Sequence, residues 1–483
     1  MIARRTRSVL GLAAAALAWS SPGVAAAQDG RLIAGADDLG TAVSAQIACA
    51  GIFVSGRTQA NVLREDILGY APFTRAITLT VDRKAGTVTA SAPGARTRTA
   101  LYRPQVGCTL LTGTVARPTL LRQAAGLRPM RSQAAKPWPM GDAPARPDTV
   151  RRSRPIDRAA LDKAVEGAFT EQNKDGLPDT RAILVVQGGE IVAERYAPGF
   201  DRNTRLLGWS ASKSIAATLI GLLVDDGVLK LDAPAPIPEW QKPGDPRGRI
   251  TLRQLLTMTS GLKFEESYVP GTDSIRMLFE ASDMAAVAAA LPLAKAPGTE
   301  WSYSSGTTNM LSAIVFRATG GTLAGMNRYA RTRLFEPAGM TGMLIEPDEA
   351  GVMVGSSYAY GTARDWARFG LLYLNGGRAG GRQILSDAWV DIVRTPVAAA
   401  PRPVYSAQFW LNRGDETGPA ARLFPGLPAD AIMARGHNFQ VVAAIPSLDA
   451  VIVRLGWTPE GQRFDVNTHF SRIAAALPPA VAR

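Results

Sequence analysis

The stretch from Gly208 to Gly227, reading GWSASKSIAATLIGLLVDDG, leaves this chain the fewest structural choices. From Ser210 on, Ile215, Leu219, Leu222 and Leu223 recur at helical spacing, an acidic tail follows, and Gly227 supplies a stop, so the stretch reads as one buried helix. Ser210 and Lys213 stand three apart and share one face of its first turn. A serine hydroxyl attacks a carbonyl poorly until a base takes its proton, and a lysine is that base only when neutral. Its ordinary pKa of about 10.4 must then fall, which burial and nearby positive potential can bring about. The unpaired N–H groups of a helix start also offer a place for an oxyanion. Taken alone the Ser-x-x-Lys spacing is weak evidence, since a capping serine beside a solvated lysine spells the same letters. The chain also holds a second copy, Ser260-Gly261-Leu262-Lys263, where a helix predicted over residues 251–258 breaks.

Arg4, Arg5 and Arg7, an apolar run from Val9 to Trp19, and small residues up to Ala27 have the layout of a secretory signal, so residues 1–27 are expected to be cleaved. The apolar run is too short to anchor in a bilayer, and the Arg4-Arg5 pair raises twin-arginine export as a second route. The expected product is periplasmic or secreted, with no integral membrane segment after cleavage. Cleavage lowers the formal charge from +13 to about +10. Basic charge favours contact with anionic envelope polymers, but no nucleic-acid module and no aromatic-interleaved basic stripe accompanies it. Cys49 and Cys108 are the sole cysteines, and an oxidising compartment predicts that they pair. With His437 and His469 as the only histidines, no metal site and no cofactor are expected.

About 455 mature residues call for more than one core. Residues 28–116 read as a small β-rich module with strands at 76–81, 87–91 and 99–103, stapled by the expected disulfide; a cap or spacer would look the same. Residues 117–156, rich in proline and arginine without a sustained period, read as a solvated linker. Residues 157–483 read as the main domain. A helix after Asp157 and a β-hairpin at 182–187 and 190–196 open it, helices at 252–258, 284–291, 310–316 and from Thr362 follow, and strands at 406–411, 440–445 and 450–455 precede a last helix at 468–477. Strands at both ends with helices between predict an α+β fold, one antiparallel sheet flanked by helices with a helical subdomain that carries Ser210.

Two further stretches bear on chemistry. Tyr303, in the polar turn from Pro297 to Gly306, is placed to enter a cleft opposite Ser210 and relay a proton, although packing is the commoner fate of a tyrosine. Ala434-Arg435-Gly436-His437-Asn438-Phe439-Gln440 opens a strand whose backbone N–H groups could complete an oxyanion hole with that of Ser210. These stretches, in this order, resemble the serine β-lactamase and penicillin-binding-protein superfamily, and most closely its class C-like hydrolases, including esterases and 6-aminohexanoate-dimer hydrolases. Ser210-Ala211-Ser212-Lys213 matches S-x-x-K, Tyr303-Ser304-Ser305 matches the tyrosine motif with Ser for Asn, and His437-Asn438-Phe439 falls where K-T-G or H-x-G is expected. Met258-Thr259-Ser260-Gly261-Leu262 and Arg364-Asp365-Trp366-Ala367 are similar to that family as well, which removes Ser260 as a nucleophile.

The resemblance implies a β-lactamase-like fold and an acyl-enzyme mechanism, with Ser210 as nucleophile and Lys213 with Tyr303 as base and acid, in an order the sequence leaves open. It further implies an oxyanion hole of Ser210 and Gln440 backbone N–H groups, with His437 in part replacing the lysine that grips a β-lactam carboxylate. The expected partner is a small-molecule ester or amide, with a cell-wall-derived compound as one option, and β-lactamase or D,D-peptidase activity and a non-catalytic cell-wall-binding protein are the alternatives. An α/β-hydrolase with a Ser-His-Asp triad is a further reading, but Ser212 stands where its elbow needs Gly and strand–helix alternation is missing.

Overall fold

A computed structural model describes residues 35–171, 176, 179–415, 417–459 and 462–481 of the chain, so the expected signal segment lies outside the described residues. The N-terminal part is helix on sheet. Helix α1 (Ala36–Cys49) lies against a four-stranded antiparallel sheet, β1 (Thr78–Asp82), β2 (Thr87–Ser91), β3 (Arg98–Arg103) and β4 (Gly107–Leu110), ordered as in the sequence. The strand expectations stand close to the observed ones, but the helix was not expected. Its residues are small and buried nearly all round, so no polar stripe marks a helical period. Cys49 ends α1 and Cys108 lies in β4, and the structure joins their sulfur atoms across 59 residues.

This module is not a spacer. Its core runs without a break into Leu207, Trp209, Tyr358, Tyr360 and Trp457 of the main domain. Buried polar contacts join the two parts: Asp66 pairs with both Arg57 and Arg181, and Glu346 accepts from the Cys108 backbone and the Gln46 side chain at 2.7 Å each. The expected linker is also corrected. Arg128, Arg131, Lys136, Arg146 and Arg154 are exposed as charges should be, but the backbone is docked. Trp138 is 4% exposed beneath the Arg368 guanidinium, which donates to the Pro139 and Gly141 carbonyls at 2.6 Å.

In the main domain, α2 (Arg158–Gly167) starts at Asp157, whose side chain accepts from the Ala160 N–H. Strands β5 (Thr180–Gln187) and β6 (Glu190–Tyr196) form the expected hairpin. Helices α3 (Ser212–Asp225), α4 (Ser305–Ala318) and α5 (Ala363–Leu374) follow, then β7 (Trp410–Leu411), β8 (Ile432–Gly436), β9 (Gln440–Ile445), β10 (Ala450–Gly456) and α6 (Val466–Ala475). The strand expected over 406–411 shrinks to its last two residues because Gln408 takes a left-handed φ of 64°. The six strands form one antiparallel sheet, ordered β7-β8-β9-β10-β5-β6, so both ends of the domain build it as expected. Strands β5, β9 and β10 are buried along their whole length, which accounts for their apolar runs at 182–186, 441–445 and 450–453. Helix α5 covers one face, with Gly370 letting it approach Val451, and α2 with α6 covers the other. The helical region that carries α3 and α4 stands beside the β8 edge, and the candidate site lies in that seam.

Candidate active site

Ser210 is not in the helix but in a 3₁₀ turn (Trp209–Ala211) that leads into α3. Trp209 holds a left-handed φ of 47°, an arrangement costly for a bulky residue and kept by its surroundings. The Ser212 hydroxyl donates to the Trp209 carbonyl at 2.5 Å and accepts from the Ala359 N–H at 2.9 Å, fixing the turn. Ser210 is left half-buried at the end of α3, while Lys213 is 1% exposed.

The structure brings Ser210, Lys213 and Tyr303 together. Lys213 Nζ stands 3.1 Å from Ser210 Oγ, 2.9 Å from Ser305 Oγ and 3.0 Å from the Ser356 carbonyl oxygen, and 4.9 Å from the centre of the Tyr303 ring. Burial pushes the Lys213 amine down to about 8 against the opposing pull of Glu266. The positive potential expected to help is not what lowers it; desolvation does so alone. Tyr303 lies just before α4, whose cap is Ser304. Burial and then Glu266 raise its phenol above the usual range, a hydrogen bond with Ser210 and the charge of Arg435 acting the other way.

The third motif departs from expectation. Gln440 lies at the start of β9 paired with Gly436, and its side chain is bonded to the backbone of Gly456. The backbone that reaches the serine turn is Gly436, where an added Cβ would sit 2.1 Å from the Gly208 oxygen and 3.0 Å from Ser210 N. Residues 437–439 turn from β8 to β9, with Asn438 and Phe439 both left-handed at φ 56° and 58°. The buried Arg454 guanidinium holds this turn by the Asn438 and Phe439 carbonyls. His437 cannot replace a lysine cation. Burial pushes its imidazole down to about 4, so it is neutral at neutral pH, and its Nε2 meets the Tyr70 hydroxyl of the N-terminal module at 2.8 Å. The same pairing, together with an antiparallel sheet, leaves the triad reading without its base. Lys263 of the second Ser-x-x-Lys is exposed while Ser260 is buried.

Sequence reasoning missed three groups. Glu266 Oε1 accepts from the Ser305 hydroxyl at 2.6 Å and Oε2 from the Ser305 N–H at 2.7 Å. Ser305 was within the quoted motif, but nothing in the sequence tied it to Glu266. Arg435 lies between the Trp410 and Phe424 rings, at 5.2 and 4.9 Å, forms no ion pair among the described residues, and has no hydrogen-bond partner for its buried Nε. Tyr70 belongs to the module that reads as a spacer. Among the described residues no acid, cysteine and histidine cluster could hold a metal ion, and no helix is long and apolar enough to cross a membrane.

A fold of helices on an antiparallel sheet, with serine, lysine and tyrosine converging at the sheet edge, has the layout of a serine hydrolase. A family model described as Beta-lactamase matches residues 165–474, and the chain belongs to that family. It is 28% identical to the 6-aminohexanoate-dimer hydrolase of Paenarthrobacter ureafaciens over 58% of this chain and 73% of the relative. Esterase EstB of Burkholderia gladioli is 30% identical over 35% of this chain and 48% of its own. In fold the chain is similar to a penicillin-binding-protein homologue from Caulobacter crescentus, with a TM-score of 0.51, 20% identity and coverage of 67% and 98% of the two chains. A family VIII carboxylesterase follows with 0.50, 19%, and 67% and 98%. The protein is thus a serine hydrolase of the esterase, amidase and β-lactamase kind, and the non-catalytic reading is set aside.

Proposed function

We propose that the protein is an exported serine hydrolase that cleaves an ester or amide through a covalent acyl-enzyme on Ser210. The observation that carries this reading is the buried Lys213 amine, lowered to about 8, standing 3.1 Å from a half-buried hydroxyl. Ser210 Oγ attacks the carbonyl carbon as its proton passes to the Lys213 and Tyr303 pair. The oxyanion forms against the Ser210 N–H and the Gly436 edge of β8, and its collapse expels the alcohol or amine with a proton from the pair. Water then takes the place of the leaving group, and the acid is released.

The names of the curated relatives, a 6-aminohexanoate-dimer hydrolase and an esterase, support the ester-or-amide reading. Arg435 supports a substrate that bears a negative group near the scissile bond, because a guanidinium flanked by rings and without an ion pair among the described residues can take a carboxylate. β-Lactamase or D,D-peptidase activity is the second reading; Arg435 favours it, and the neutral His437 in place of the third-motif lysine disfavours it. The signal-like residues 1–27 and the Cys49–Cys108 bond support export to the periplasm or beyond. The test is hydrolysis of p-nitrophenyl acetate, a chromogenic cephalosporin and a linear aminohexanoate dimer by the wild type and Ser210→Ala. Turnover of at least one compound, lost in the variant, is expected; turnover that survives in Ser210→Ala overturns the mechanism.

A further inference from the structure

Three acceptors surround the Lys213 amine, and Glu266, from a separate loop, decides which of them can also donate. The Ser356 carbonyl, 3.0 Å away, can only accept. The Ser305 hydroxyl donates its hydrogen to Glu266 Oε1 at 2.6 Å, while Oε2 of the same carboxylate is occupied by the Ser305 N–H. Ser305 Oγ can therefore only accept from the lysine at 2.9 Å. A neutral amine has two N–H bonds and one lone pair, and both N–H bonds are now assigned. The lone pair is left facing Ser210 Oγ at 3.1 Å, the one remaining neighbour among the three with a proton to give.

We propose that Glu266, acting through the Ser305 hydroxyl, is a positioning residue that sets the direction of this network, so that Lys213, not Tyr303, takes the Ser210 proton. This inference rests on the acyl-enzyme reading above. In the step the Ser210 O–H bond breaks and an Nζ–H bond forms from the amine lone pair. The serine oxygen pair becomes the new C–O bond, and the carbonyl π pair moves to the oxyanion. The ammonium that results has three N–H bonds for three acceptors. The Tyr303 phenol, kept protonated by burial and by the Glu266 charge, is left as the proton donor of the pair.

Glu266→Gln keeps the shape and reverses the direction. The Ser305 N–H claims the amide oxygen, so the amide NH₂ faces Ser305 Oγ and the hydroxyl hydrogen turns onto the lysine lone pair. With p-nitrophenyl acetate as probe, kcat/KM should fall about a hundredfold, the scale of a lost general base. The limb of the pH profile set by Lys213 should also move to lower pH, because the anion that raises the amine pKa is gone. Ser305→Ala removes the group that transmits the effect, and adding Glu266→Gln to it should cost less than about twofold more, the non-additivity of one shared network. Glu266→Asp, which keeps the direction, should keep the wild-type pH limb, and it carries the test should Glu266→Gln not fold by circular dichroism. An unmoved limb with unchanged kcat/KM in Glu266→Gln, or a full hundredfold loss in the Ser305→Ala background, overturns the proposal. Activity in Ser210→Ala would instead overturn the acyl-enzyme itself, so the two failures are distinct.

Discussion

A lysine placed three residues after a serine is ordinarily an ammonium in water, and here its surroundings undo that. Lys213 is enclosed by α3, Ser305 and Ser356, no cation is needed to lower its pKa, and the nearest named charge opposes the change. Arg435 shows the converse: a guanidinium kept cationic between two rings with no anion of its own among the described residues. Arg435→Gln should raise KM for an ester that bears a free carboxylate, such as p-nitrophenyl hemisuccinate, by about tenfold or more, the scale of a charge-assisted hydrogen bond. KM for neutral p-nitrophenyl acetate should change by less than about twofold, and steady-state kinetics on the two esters separate the outcomes. At this scale Ser210, Lys213 and Tyr303 were legible because a helix turn and an ordered motif set fix them locally. Glu266, Arg435 and Tyr70 were not, because each meets the site through tertiary packing that no spacing records.

Among the elements, the serine turn and the β8 edge depend on each other. The left-handed Trp209 thrusts Ser210 toward the cleft, and Gly436 lets the strand come within touching distance of it. The motif reading placed Gln440 there because it took residues 434–440 as the opening of the strand at 440–445; residues 432–436 instead form a strand of their own, and two consecutive left-handed residues make the hairpin turn between the two. Helix α1 escaped notice for a different reason, since a helix buried on all sides shows no amphipathic period. Its end is tied to β4 by the Cys49–Cys108 bond, beside the Cys108 N–H that serves Glu346. The Cys49→Ser, Cys108→Ser double variant should lose about 2–4 kcal/mol in urea unfolding, as expected for opening a loop of this length. Reduction should lower the wild type to the level of the double variant and leave the variant unchanged; equal stability under oxidising conditions contradicts the account.

Across the whole molecule, a module that reads from sequence as an appendage closes over the site. Its core merges with that of the main domain around Trp209 and Trp457, its Tyr70 meets His437, and the docked 117–156 segment straps α5 through Arg368. The fold class was legible in strands at both ends of the domain with helices between, whereas the join between the two parts was not, because it is made by buried contacts between residues far apart in the chain, Asp66 with Arg181 and Glu346 with Cys108 and Gln46. The consequence of this enclosure is a buried Lys213 amine, lowered to about 8, beside a half-buried alcohol. The most direct test is the rate at which a fluorophosphonate labels the protein as a function of pH, with the adduct mapped by peptide mass spectrometry. Labelling should fall on Ser210, with a rate that rises with pH through a single ionisation near about 8, as the Lys213 ammonium gives up its proton, and that rise should vanish in Lys213→Ala. A label on another serine, or a rate at Ser210 that does not change between pH values about two units either side of that midpoint, would contradict the account.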